Sequence, residues 1–144
     1  MSIRRATIND ITKIVALENQ VFHETLGEKF LYDEMSINPF SRMYVIEEDN
    51  RFIGFIGLRV DEQAELMNFA IDPHDQHQGY GQKLMTYVLE ELKKEDVSLL
   101  TLEVRESNLN ARRFYESCGF KVSHKRKQYY PNEDAIVYMK EVDK

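Results

Sequence analysis

The run Gln76-His77-Gln78-Gly79-Tyr80-Gly81-Gln82-Lys83-Leu84 has the spacing best suited to chemistry in this 144-residue chain. It follows an apolar, strand-like stretch, Leu66-Met67-Asn68-Phe69-Ala70-Ile71, and a turn at Asp72-Pro73. It opens a helical pattern in which Leu84, Met85, Val88, Leu89 and Leu92 recur at a period of about 3.6 residues. A strand that ends in a glycine-containing turn and passes into a helix N-terminus gathers unpaired backbone N–H groups, and the helix dipole adds positive potential. Gly79 and Gly81 let the main chain approach a ligand that any Cβ would hold off. The chemistry is anion binding, and the expected anion is a pyrophosphate. Two common cradles fail on spacing. A P-loop needs Lys-Ser or Lys-Thr directly after its last glycine, and Gly81 is followed by Gln82-Lys83-Leu84. A dinucleotide fingerprint needs a third glycine where Leu84 stands.

The spacing that does fit, Gln76-x-x-Gly79-x-Gly81, resembles the acetyl-CoA-binding signature of the GCN5-related N-acetyltransferases (GNAT). Acetyl transfer to an amine needs two proton movements: the ammonium must lose a proton, and the departing thiolate benefits from gaining one. A carboxylate and a phenol near the thioester would serve. Glu103 and Tyr115 are the candidates. Leu100, Leu102 and Val104 alternate on one face of a strand, so Glu103 shares the other with Leu99 and Thr101, near the strand's C-terminal end. Tyr115 lies on the inward stripe of a helix with Phe114. Each has a plainer reading: Glu103 as a sheet-edge partner of Arg105 or a lysine, Tyr115 as a core aromatic with a satisfied hydroxyl. Asn108 can cap that helix, contact the ligand, or do both.

The elements that must position these groups follow from pattern. Ile3 to Ala6 reads as a strand. Asn9 or Asp10 can cap a helix with the stripe Ile11, Ile14, Val15, Val21 and Phe22. Glu18 falls on that stripe, where a carboxylate needs a partner. It either snorkels at the stripe's edge or provides an acidic lining for an amine site. A second helix spans Glu28 to Ile37. Arg42 to Glu47, Arg51 to Val60 and Ala64 to Ile71 read as a β-meander, with turns at Asp49-Asn50 and Asp61-Glu62. The glycine turn and its helix end near Lys93-Lys94. A strand from Ser98 to Val104, a helix from Asn108 through Ser117 stopped by Gly119, and strands Phe120 to Ser123 and Ala135 to Lys140 complete the order βααβββαβαββ. The expected plan is α/β: one domain over 1–144, with a mixed, largely antiparallel twisted sheet flanked by helices.

Composition narrows the function. A hydrophobic fraction of 42% and a charged fraction of 31% are those of a globular domain. The net charge of −6 argues against direct nucleic-acid binding and suits a cationic partner such as a basic peptide with a free amine. No run approaches a membrane span or a signal-peptide core. Cys118, the only cysteine, excludes an internal disulfide and favours a reducing, cytoplasmic setting; it reads as core filler. The basic cluster Lys121 with His124-Lys125-Arg126-Lys127 reads as a solvated edge, with contact to CoA phosphates or acceptor as the alternative.

A closer resemblance is carried by Leu102-Glu103-Val104-Arg105-Glu106-Ser107-Asn108 and Phe114-Tyr115-Glu116-Ser117-Cys118-Gly119-Phe120, similar to the second half of a GNAT domain. Lys125-Arg126-Lys127-Gln128-Tyr129-Tyr130-Pro131 with Glu133-Asp134-Ala135 is similar to the ending of one branch, the bacterial ribosomal-protein-alanine N-acetyltransferases. The similarity runs from about Leu66 to Met139; the N-terminal third agrees in element order alone. The resemblance implies strands splayed at the acetyl-CoA site, with the backbone of Phe69, Ala70 and Ile71 beside the pantetheine arm. It implies that Gln76 and the segment His77, Gln78, Gly79, Tyr80, Gly81 and Gln82 hold the pyrophosphate, with Asn108 also on the coenzyme. Glu103 would be general base and Tyr115 general acid, in direct attack with no acyl-enzyme and no metal. The implied acceptor is a protein N-terminal α-amine, in this branch the alanine of a small-subunit ribosomal protein. Tyr129 and Tyr130 would wall its groove or simply pack, and Glu18 would face the amine. The alternatives are acetylation of a small-molecule amine, or a CoA-binding module without turnover. The chain departs from the pattern at Gln76, Gln78 and Gln82, where basic residues are common, leaving backbone N–H groups and Lys83 for the phosphates. Gln128 stands where the branch often has asparagine, and the absence of tryptophan points to an altered acceptor loop around Phe22 to Phe30.

Overall fold

Short polar turns between strand-forming runs build the first half of the sheet. In the computed structural model, which describes residues 1–22 and 27–142, β1 (Ser2–Arg5), β2 (Ser41–Glu48), β3 (Arg51–Val60) and β4 (Ala64–Ile71) pair antiparallel in sequence order. Asp49 and Asn50 take φ of 52° and 64°, left-handed values that short polar side chains tolerate and a tight hairpin demands. The chain then crosses over to β5 (Leu99–Arg105), parallel to β4. β6 (Lys121–Tyr130) and β7 (Glu133–Glu141) finish the sheet in the order β1-β2-β3-β4-β5-β7-β6. The resulting architecture is the mixed α/β plan read from the sequence.

Among the described residues, four helices cover the two faces. From α1 (Ile11–Phe22) and α2 (Glu28–Ser36), the buried residues Ile11, Ile14, Leu17 and Leu31 pack on Met43, Val45, Phe55 and Ala70. From α3 (Tyr80–Lys94) and α4 (Leu109–Ser117), Leu84, Met85, Val88, Leu92 and Tyr115 pack on the opposite face with Ile56, Leu100, Leu102 and Tyr138. The first helix is not capped by Asn9 or Asp10. Thr7 takes that role, accepting from the Asn9 N–H at 3.3 Å, while its own N–H donates to Asp10 at 2.7 Å. The reason is a 3-10 turn, Ile8–Asp10, that precedes α1 and shifts the cap upstream.

β4 is bent by a bulge: Gly57 of β3 faces Asn68, but Leu58 faces Leu66, leaving Met67 unpaired between them. Beside it, β4 pairs with β5 only through Ala64–Leu100 and Glu65–Thr101. Past Glu65 the two strands diverge, and the β5-facing peptide groups of β4 have no strand to bond. A Cβ added at Gly57 would stand 2.1 Å from Asn68 Oδ1, so the Asn68 side chain, bonded to the buried Glu18, would have to shift. Gly57→Ala is therefore expected to cost about 1–3 kcal/mol of stability through overpacking, read as a lower denaturation midpoint.

The second difference from expectation is β6, which runs to Tyr130 rather than stopping at Ser123. It lies at the sheet edge, almost wholly exposed, and its pairing with β7 is irregular between Val122 and His124 and between Arg126 and Tyr130. Its backbone is paired on one side, so the strand forms without any apolar alternation to announce it.

Candidate functional site

The divergence of β4 from β5 opens a cleft of about 810 Å³, within the size of small-molecule sites. One wall is Phe69, Ala70 and Ile71 at the end of β4. By alternation, Ala70 belongs to the α1/α2 core, whereas Phe69 and Ile71 pack against the α3/α4 core. The backbone between them therefore passes through the gap in the sheet.

The floor is the turn into α3. Gln76 Nε2 donates to the Ile71 carbonyl at 3.2 Å, tying the turn to the strand it leaves. His77 and Gly79 adopt φ of 65° and 87°, and Gly79 is the N-cap of α3 without any capping side chain. Its carbonyl accepts the first helical bond, from Lys83 N at 3.0 Å. The first-turn N–H groups, those of Tyr80, Gly81 and Gln82, have no intrahelical acceptor, and no acidic residue occupies that turn. A Cβ built on Gly79 meets nothing within 4 Å, so the space above the turn is open. The Tyr80 hydroxyl donates to Glu48 and staples the turn to β2. Gln78 does not line the cleft; its amide points back to the His74 carbonyl at 3.5 Å.

The opposite wall is α4. Asn108 lines the cleft and also caps the helix, accepting from Ala111 N at 3.2 Å. Tyr115 is 8% exposed, packed edge-on against Phe114 and Phe120 at ring separations of 5.4 and 5.7 Å. Its hydroxyl takes no hydrogen bond among the described residues and Tyr115 lines the cleft. Burial, and secondarily Cys118, push its phenol well above the usual tyrosine range. The group keeps its proton until a stronger base arrives in the cleft.

Glu103 stands elsewhere. It alternates with Leu102 and Val104 and so projects from the α1/α2 face of β5, outside the cleft lining. Arg126 Nη1 donates to both carboxylate oxygens, at 3.1 and 3.2 Å, with its guanidinium 4.3 Å above the Tyr129 ring. Arg105 sits 4.3 Å above the Tyr130 ring, and the two tyrosines meet edge to face at 5.0 Å. Burial, then the Glu103 charge, raises the Tyr130 phenol. Glu103, Tyr129 and Tyr130 thus form one cluster, separate from the cradle and Tyr115.

Glu18 is 4% exposed and accepts from Asn68 Nδ2 at 2.9 Å. It does not snorkel, nor does it line the cleft. Val21 and Phe22, one turn further along α1, form that lip. Of the acceptor loop expected around Phe22 to Phe30, residues 23–26 lie outside the described residues.

Residues 8–120 match the acetyltransferase (GNAT) family. The chain belongs to it. Among relatives of this GNAT chain, an Escherichia coli (strain K12) ribosomal protein bS18-alanine N-acetyltransferase is 35% identical over 82% of this chain and 76% of its own length. A Haemophilus ducreyi protein of the same name is 42% identical over 61% of each chain. The crystal structure of the ribosomal-protein-S18-alanine N-acetyltransferase from Escherichia coli superposes with a TM-score of 0.90 at 29% identity, covering 99% of this chain and 94% of that one.

The GNAT cleft also holds residues the sequence reading passed over. Asn110, Arg113, Phe114 and Ser117 line it from α4, at the three-and-four spacing of one helix face. Counting forward from Asn110 by three, four and seven residues reaches the other three. Lys83, expected to help with phosphates, lies 5.5 Å from the Tyr80 ring and is not part of the wall.

Proposed function

We propose that the chain transfers the acetyl group of acetyl-CoA directly to the α-amine of a protein N-terminus, with the N-terminal alanine of a small-subunit ribosomal protein as its acceptor. The observation that carries the reaction is the gap between β4 and β5, with Tyr115 on one face of the sheet and Glu103 on the other. A thioester lying in that gap meets a phenol from one side and an amine from the other.

In this reading the turn from Gln76 to Gln82, Gln78 through its backbone alone, holds the pyrophosphate, and Asn108 adds a contact from α4. The peptide edge of Phe69, Ala70 and Ile71, free apart from the Ile71 carbonyl that Gln76 engages, bonds the pantetheine arm and helps polarise the thioester carbonyl. Glu103, through a water, takes the proton that the attacking nitrogen loses; Tyr115 gives its proton to sulfur as the C–S bond breaks and the C–N bond forms. The products are the acetylated terminus and the free thiol, and no metal enters the reaction. Arg126 engages both oxygens of Glu103 and orients the carboxylate. An α-amine, with a pKa of about 8, asks less of the group that takes its proton than a lysine at roughly 10.4. Tyr129 and Tyr130 wall the peptide groove, and Glu18 adds negative potential behind the lip for a cationic terminus. A ribosomal acceptor places the reaction in the cytoplasm.

The acceptor is supported by the bS18-alanine enzymes at 35% and 42% identity. The test is intact mass of a short peptide copied from the host's small-subunit protein, incubated with enzyme and acetyl-CoA. The expected result is one acetyl group gained, and none when the N-terminus is blocked. Acetylation of polyamines or aminoglycosides with the peptide untouched would replace this acceptor by a small amine. CoA binding with nothing modified would leave a binding module.

A further inference from the structure

We infer that Arg113 is the side chain that grips the 3′-phosphate of the coenzyme, and that the cleft thereby distinguishes CoA from its dephospho form. The inference rests on the acetyl-CoA reading above and adds a group to it. CoA carries its charge in two places, a pyrophosphate and a phosphate on the ribose. The first can be held by the first-turn N–H groups of α3, but one helix N-terminus faces one anion at a time. The second phosphate needs a cation of its own.

The cleft offers one. Gln76 to Gln82 contains no lysine or arginine, and Lys83 lies beside the Tyr80 ring, off the wall. Asp75 does line the cleft, but Arg51 pairs with its carboxylate at 2.5 Å, so neither charge is left over. Arg113 is the only lysine or arginine on the wall among the described residues.

Its neighbour shows how α4 divides the labour. Arg112 is tied into the fold: Nε donates to the Tyr138 hydroxyl at 3.1 Å and Nη1 to the Glu106 carbonyl at 3.0 Å. A step of one residue turns the helix by about 100°, and that turn carries Arg113 to the cleft side. There it is exposed, with no hydrogen bond or ion pair among the described residues, between the polar Asn110 and Ser117 on the same helix face. A planar guanidinium with unspent donors matches the geometry of a phosphate dianion. An arginine held nowhere else also leaves the fold intact when replaced.

The experiment is calorimetric titration of the whole chain with CoA and with 3′-dephospho-CoA, for the parent, Arg113→Ala, Arg113→Lys and Lys83→Ala. Arg113→Ala is expected to weaken CoA about tenfold, the scale of a lost charge-assisted contact, and to leave dephospho-CoA unchanged. Arg113→Lys should recover part of the loss and Lys83→Ala should show none. Equal weakening of both ligands, or no weakening of CoA, overturns the assignment while the acetyl-CoA reading stands. A parent that binds neither ligand overturns both.

Discussion

Replacing the Tyr115 hydroxyl by hydrogen, in Tyr115→Phe, is expected to lower kcat by about 100-fold or more, the usual contribution of a positioned proton donor. The dissociation constant for CoA should stay as it was. The phenol makes no hydrogen bond to the described residues, so its loss breaks nothing in the resting fold, and the phenylalanine ring keeps the packing against Phe114 and Phe120. Only the step in which sulfur departs loses a partner, and kcat and kcat/KM should therefore fall together. Burial lifts the phenol above its ordinary range, so the deficit should persist as pH rises through about 10, where a free tyrosine would ionise. Equal turnover in the variant and the parent would remove Tyr115 from the chemistry and leave it a wall of the cleft.

The second large effect concerns the turn. Gly79→Val is expected to raise the dissociation constant for acetyl-CoA about tenfold or more, some 1.4 kcal/mol at the least. Two causes act together. A β-branched residue at φ 87° is strained by roughly 1–3 kcal/mol, which distorts the N–H groups that must converge. Its side chain also enters space that no protein atom fills within 4 Å and that the pyrophosphate needs. Gly79→Asn separates the two, because asparagine tolerates the left-handed region while still carrying a Cβ. Weakening by both variants assigns the effect to the occupied space; weakening by valine alone assigns it to strain. Binding unchanged in both would move the pyrophosphate away from this turn.

What could be read ahead of the structure was local. The glycine turn, the helix that follows and the positions of Glu103 and Tyr115 depend on neighbours a few residues away, and pattern captures those. Glu18 shows the boundary. Its place on an apolar stripe is legible, but its partner Asn68 lies 50 residues along the chain, brought near by a bulge whose glycine has no distinctive neighbours. The end of β6 was missed for a related reason: edge pairing to β7 is a backbone event, and the exposed side chains carry no alternation. Lys83 is suggested as a phosphate partner by its nearness in sequence to the turn, whereas the cleft is closed by α4 from across the gap. The gap itself has no signature in hydrophobic period, since it is made by peptide groups that stop pairing.

The two outermost strands bear on how this protein behaves when crowded with copies of itself. An open-ended sheet offers its free peptide rows to any other extended chain, which is the start of fibrillar association. Here β1 is four residues long, too short to template a growing ladder. β6 is longer, but its pairing slips twice and it carries Lys121, Lys125, Arg126 and Lys127, so an approaching copy meets like charge and a broken register. Arg126, which braces Glu103 and covers the Tyr129 ring, thus also belongs to the charge that guards the margin of an unclosed sheet.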